Sequence, residues 1–100
     1  MSNLQNRYTW TLAASSAGTA IDFQGWGVET SFYVESGAVS SGVITIESAR
    51  TAAGPWATIA STTVASTSAA TVMEVTGPLL FVRPRVASTG TWTVEAVSYG

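Results

Sequence analysis

The sequence predicts an all-β domain, an antiparallel β-sandwich of about seven to eight strands with an immunoglobulin-like or jelly-roll-like course. Three observations predict it. Apolar and polar residues alternate with a period of two through most of the chain. β-Branched residues are abundant, with 15 Thr, 11 Val and 4 Ile, while helix formers other than Ala are scarce. Breaks such as Ser15-Ser16-Ala17-Gly18, Gly25-Trp26-Gly27, Gly54-Pro55 and Gly77-Pro78 recur at the spacing of strands joined by turns.

Each element follows from its own residues. Residues 1–7 are polar and lack periodicity, so they are expected to form an N-terminal arm that orders on a neighbouring subunit. The same polarity argues against a secretory signal, which needs an apolar stretch. Tyr8, Trp10 and Leu12 then point one way, with Thr9 and Thr11 the other. Ile21 and Phe23 alternate with Asp22 and Gln24. Val28, Phe32 and Val34 share one face of the next strand, and Glu29, Ser31, Tyr33 and Glu35 share the opposite one. Ile44 and Ile46 turn inward from the stretch Gly42 to Glu47.

Residues 57–71 are the weakest segment, because 13 of 15 are Ala, Ser or Thr. They predict one short strand near Ile59 and a loose loop over Ala65 to Ala70. Three strands follow, with Met73 and Val75, then Leu80, Val82 and Val86, then Trp92, Val94 and Ala96 turned inward. Pro84 lacks a ladder donor, which predicts an edge or a bulge at that point. One apolar face per strand implies two facing sheets. Phe32, Val34, Ile44, Ile46, Val82, Trp92 and Val94 are the expected core. At 100 residues the chain supports one core, hence a single domain over 1–100.

Composition excludes more chemistry than it suggests. Only 10% of residues are charged, against roughly 25% in an ordinary domain. Lys, His and Cys are absent. Hydroxyl nucleophiles therefore lack a basic partner, disulfides and thiolate metal sites are excluded, and transition metals lack nitrogen ligands. The six acids, Asp22, Glu29, Glu35, Glu47, Glu74 and Glu95, form no Asp-rich calcium loop. Glu29 and Glu35 share a strand face about 20 Å apart, too far for paired-carboxylate chemistry. Glu35 and Glu47 are candidate cross-strand neighbours. No enzyme activity, cofactor or metal is expected. Four Arg and a net charge of −2 provide no footprint for nucleic acid and no basic face for a membrane.

What remains is adhesion. Trp10 and Trp92 fall on the inward alternation, and Trp56 is expected to fold over a hairpin end. Trp26 lies between two glycines at a loop tip, the best placed of the four Trp for an exposed contact. Leu79, Phe81, Arg83 and Arg85 share one strand face, opposite Leu80, Val82 and Val86. An apolar face bearing two cations suits an interface. Alternatively, the two Arg pair with Glu95 or Glu35 on neighbouring strands. With Tyr33, these residues make the interface candidates Trp26, Tyr33, Leu79, Phe81, Arg83 and Arg85.

From Val28 to Tyr99 the chain resembles the small β-sandwich capsid decoration, or cement, proteins of tailed bacteriophages. The resemblance lies in Gly42-Val43-Ile44-Thr45-Ile46-Glu47-Ser48, Gly54-Pro55-Trp56-Ala57-Thr58-Ile59, the stretch Val75 to Val86, and Gly90-Thr91-Trp92-Thr93-Val94-Glu95-Ala96-Val97. It implies a structural virion protein on the capsid surface, made in the host cytoplasm. Its implied partners are the major capsid protein and copies of itself, a trimer being the simplest closed arrangement. The alternative is a carbohydrate-binding or adhesin-type module of a phage tail or fibre.

Overall fold

The computed structural model describes residues 5–13, 16–25, 29–36, 42–64, 71–77, 79–87 and 91–99. Eight strands cross these segments: β1 (Gln5–Leu12), β2 (Ile21–Asp22), β3 (Glu29–Ser36), β4 (Gly42–Ala49), β5 (Ala57–Val64), β6 (Thr71–Thr76), β7 (Phe81–Val86) and β8 (Trp92–Tyr99). They form two four-stranded sheets, ordered β1-β8-β3-β6 and β2-β7-β4-β5. Every pairing is antiparallel. The chain changes sheet at every connection except the β4–β5 hairpin, and its first long strand pairs with its last. That interleaving is a jelly roll, so the jelly-roll course expected from sequence holds and the immunoglobulin-like one does not.

The inner faces follow the alternation. Trp10 and Leu12 of β1, Phe32 and Val34 of β3, Met73 of β6 and Trp92, Val94 and Ala96 of β8 are buried from one sheet. Ile44 and Ile46 of β4, Val64 of β5 and Val82 and Val86 of β7 meet them from the other. Burying a side chain of this size contributes about 1.5–3 kcal/mol. Thr30 and Ser98 stand opposite each other and are also buried; the Thr30 Oγ1 hydroxyl donates to Ser98 Oγ at 3.1 Å. Among the described residues, no buried side-chain oxygen or nitrogen is left without a partner.

Three departures from the sequence expectation have local causes. Gln5, Asn6 and Arg7 are rungs of β1, paired with Tyr99, Ser98 and Val97, so these three residues do not belong to an arm. The backbone of β8 supplies partners that their polarity does not reveal. Strand β5 runs for eight residues rather than a short stretch around Ile59, because it pairs with β4 on both sides of a register shift between Ile46 and Glu47. At that bulge Ile59 is the extra residue, and both Ile59 and Ala60 pack against the core. Residues 1–4, Val28 and the loop over Ala65 to Ala70 lie outside the described residues.

Pro84 is the third departure. It sits in β7, an inner strand, with no bulge opposite it: Ile46 faces it in register. Its carbonyl accepts from the Gly18 N–H at 2.8 Å, so the backbone groups of Pro84 point away from β4 toward the segment before β2. Among the described residues, pairing there is sparse, comprising the two rungs of β2 and a bridge from Ala17 to Arg85. The missing N–H therefore costs no β4–β7 bond. Gly18 is required at this crossing. A Cβ on it would stand 2.6 Å from Trp10 Cδ1 and 3.0 Å from Pro84 Cδ. The Trp10 indole N–H donates to the Thr19 carbonyl at 2.7 Å, and Tyr8 stacks on Phe23 with ring centroids 4.3 Å apart. These contacts fasten the segment to both sheets.

Candidate functional site

The outer face of the β2-β7-β4-β5 sheet carries Phe81, Arg83 and Arg85 at alternate positions of β7. Leu79, expected beside them, is buried in the core at 8% exposure, and Leu80, expected inside, is 43% exposed. The cause is a break in alternation before β7 begins. The carbonyls of Leu79 and Leu80 both accept from one short segment, from the Gly25 and Phe23 N–H groups at 2.8 and 2.7 Å. Successive carbonyls of a strand would point opposite ways. The parity read from Phe81 therefore does not extend back to Leu79.

The two Arg pair with neither Glu95 nor Glu35. Their partner is Glu47, which faces Arg83 directly across the β4–β7 register. Arg83 Nε donates to Glu47 Oε1 at 2.7 Å, and Arg85 Nε lies 3.4 Å from Glu47 Oε2. The Arg83 guanidinium also lies over the Trp56 ring at 4.2 Å. Trp56 reaches it from the β4–β5 loop, where the Gly54 N–H donates to the Thr51 carbonyl at 3.0 Å and the Thr51 hydroxyl donates back to Gly54 O at 2.8 Å. Gly54 has φ +90°, and a Cβ there would meet Trp56 Cδ1 at 2.8 Å. Trp56 thus does fold over a hairpin end, with a cation as its cover. Glu35 lies on the other sheet and is no neighbour of Glu47.

The outer face of the β1-β8-β3-β6 sheet is built differently. Tyr33 faces Val72 of β6 on one side and Glu95 of β8 on the other. Tyr33 is 40% exposed and Val72 48%, an apolar pair open to solvent. Thr9, Tyr33, Glu35, Thr93 and Glu95 line a groove of about 210 Å³. That is below the roughly 300 Å³ of a small-molecule pocket, so it suits one ring or one side chain. The nearest cation, Arg7, lies 3.9 Å from Glu95 with both side chains well exposed. Such a pair contributes at most about 1 kcal/mol.

The structure therefore divides the sequence-predicted candidates. Phe81, Arg83 and Arg85 share one outer face, Tyr33 belongs to the opposite one, Leu79 is core, and Trp26 lies outside the described residues. Sequence inspection missed Glu47 and Trp56 as companions of Arg83, and Val72 as companion of Tyr33. Their outward parity was visible, but not the register that joins them. A further groove of about 380 Å³ lies at the β4–β5 hairpin end, where Arg50, Pro55, Ala57, Ile59 and Leu80 are among its walls.

Neither a family model nor a curated protein matches the sequence. Solved structures match the fold. The SPBc2 prophage-derived protein YomS superposes with a TM-score of 0.75 at 16% identity, over 100% of this chain and 96% of that one. The PBSX exported protein XepA gives 0.63 at 18% identity, over 97% of this chain and 37% of that one. A family 29 carbohydrate-binding module gives 0.56 at 10% identity, over 90% of this chain and 68% of that one. At these identities the likeness is one of fold. It agrees with the small phage proteins that the sequence resembles.

Proposed function

We propose that the chain is a structural protein of a phage virion, a decoration subunit that binds the assembled capsid and stabilises it by bridging major capsid subunits. The whole-length fold likeness to a prophage-derived protein of nearly the same extent carries this proposal. The chemistry supports it: a chain without His, Cys or Lys has few groups for turnover, and its low charge leaves broad surfaces for contact. The outer face bearing Tyr33 and Val72 is the docking face, because both side chains stand open to solvent among the described residues. Copies on a symmetric shell act together, so each contact need not be tight. Self-association, as a trimer, and a place on the capsid exterior belong to the same proposal. The test is co-sedimentation of purified chain with shells stripped of it. Saturable binding to shells, lost in Tyr33→Ala, is expected; no binding, or binding indifferent to Tyr33, overturns it.

One observation favours a second function, recognition of a glycan. Tyr33 offers a ring for stacking, with the carboxylates of Glu35 and Glu95 and the hydroxyls of Thr9 and Thr93 beside it to accept from sugar hydroxyls. Calorimetric titration with neutral oligosaccharides separates the two. Heat of binding by the isolated chain supports the module, and silence removes it.

A further inference from the structure

The four sheet edges are not equally protected. Edge strands expose unpaired N–H and C=O groups, and proteins blunt them with charge, shortness or proline. Strand β1 carries Arg7, β2 is two residues long, and β6 carries an exposed Glu74. Strand β5 runs eight residues, Ala57–Val64, with no charge and no proline. Its bulge at Ile59 leaves the stretch from Ala60 to Val64 regular. Among the described residues, nothing pairs with its outer side.

The register shows which groups are free. Pro84 and Val86 turn their backbone groups toward the segment before β2, so Ile46 and Ile44 opposite them turn theirs toward β5. Ala60 and Thr62, the partners of Ile46 and Ile44, therefore bond to β4. Ser61 and Thr63 point N–H and C=O outward.

A cation stands at the start of this edge. Arg7, Arg83 and Arg85 lie against carboxylates, whereas Arg50 has no ion pair among the described residues. It lines the hairpin-end groove beside Pro55, Ala57, Ile59 and the exposed Leu80. A strand added antiparallel to β5 runs its C-terminal end past Ala57, one wall of that groove. There, an apolar side chain would meet Ala57 and Ile59, and a terminal carboxylate would face Arg50 across the groove.

We propose that the outer edge of β5 with the Arg50 groove is a strand-addition site for an extended segment of a partner protein, one that alternates β-formers and ends in an apolar residue followed by a carboxylate. Main-chain bonds to Ser61 and Thr63 supply affinity, and Arg50 sets direction and register. The assignment identifies the donor by its chemistry and holds whether or not that donor belongs to a capsid.

The probe is an acetylated octapeptide of alternating threonine and valine ending in leucine and aspartate, added to the full chain. Amide exchange at Ser61 and Thr63 is expected to slow at least tenfold at saturation. Ser61→Pro removes an outward N–H without touching the β4 ladder, and is expected to weaken binding at least tenfold with the melting temperature kept. Arg50→Gln, or an uncharged peptide C-terminus with asparagine, is expected to weaken it about two- to fivefold. The proposal is overturned by unchanged exchange at Ser61 and Thr63, by full affinity in a folded Ser61→Pro chain, or by indifference to Arg50. Protection without peptide that grows with protein concentration also overturns it, by showing a second copy on the edge. If Ser61→Pro fails to fold, exchange in the unaltered chain decides.

Discussion

The two outer faces of the sandwich use their polar residues in opposite ways. On the β2-β7-β4-β5 sheet, Glu47 holds Arg83 at 2.7 Å with side-chain exposures of only 14% and 21%, and Trp56 covers the guanidinium. On the β1-β8-β3-β6 sheet, the one ion pair among the described residues is long and exposed, and Tyr33 and Val72 face solvent. The first face has turned its recognition groups on each other, which adds stability. The second has kept them available, which adds none. Interface-type residues in a sequence therefore do not locate an interface until their mutual partners are known.

The largest effect should ignore the difference between the faces. Val94 and Ile46 are fully buried, one from each sheet. An unpaired carboxylate there costs several kcal/mol against a total stability of about 5–15 kcal/mol. Val94→Asp and Ile46→Asp are each expected to abolish folding, with loss of the β signal in far-ultraviolet circular dichroism. A variant that kept one sheet intact would show two independent units rather than two faces of one core.

Gly18→Ala probes the seam, where a new Cβ meets Trp10 from one sheet and Pro84 from the other. Overpacking of this kind costs about 1–3 kcal/mol. Thermal unfolding should fall by about 4–8 °C for each kcal/mol lost. An unchanged midpoint would mean that this segment is not clamped between the sheets.

Glu47→Ala and Arg7→Ala set the faces against each other directly. Removing Glu47 strands a part-buried guanidinium and should cost about 1–3 kcal/mol by urea titration. Removing Arg7 should cost less than about 0.5 kcal/mol. Equal costs would erase the distinction drawn between the faces. Tyr33→Ser is likewise expected within about 0.5 kcal/mol of the parent chain, while the shell binding proposed for it is lost. A large drop in stability would make Tyr33 a structural residue and leave the docking face without its anchor.

The core was legible in the sequence because burial on one face of a strand imposes a period of two. Trp10, Phe32, Ile44, Val82 and Val94 were all found that way. Signals that depend on the partner strand were not legible. Arg83 shows its outward parity in sequence, but only the β4–β7 register reveals Glu47 opposite it. Leu79 escapes the period of two because two successive carbonyls turn to the same segment, an irregularity that leaves no trace in hydropathy. The Ala, Ser and Thr run of β5 hid a full-length strand for a related reason. Its side chains are too small and too alike to alternate visibly, although its backbone pairs through nearly its whole length. Pro84 looked like an edge signal because sequence cannot show which side of an inner strand lacks a full neighbour.

The central claim is that this sandwich stabilises a protein shell. Shells stripped of the chain and shells reloaded with it, heated side by side and followed by release of their contents, test it most directly. The account predicts that reloaded shells rupture several degrees higher, and that reloading with Tyr33→Ser gives no gain. Rupture of stripped and reloaded shells at the same temperature would contradict it.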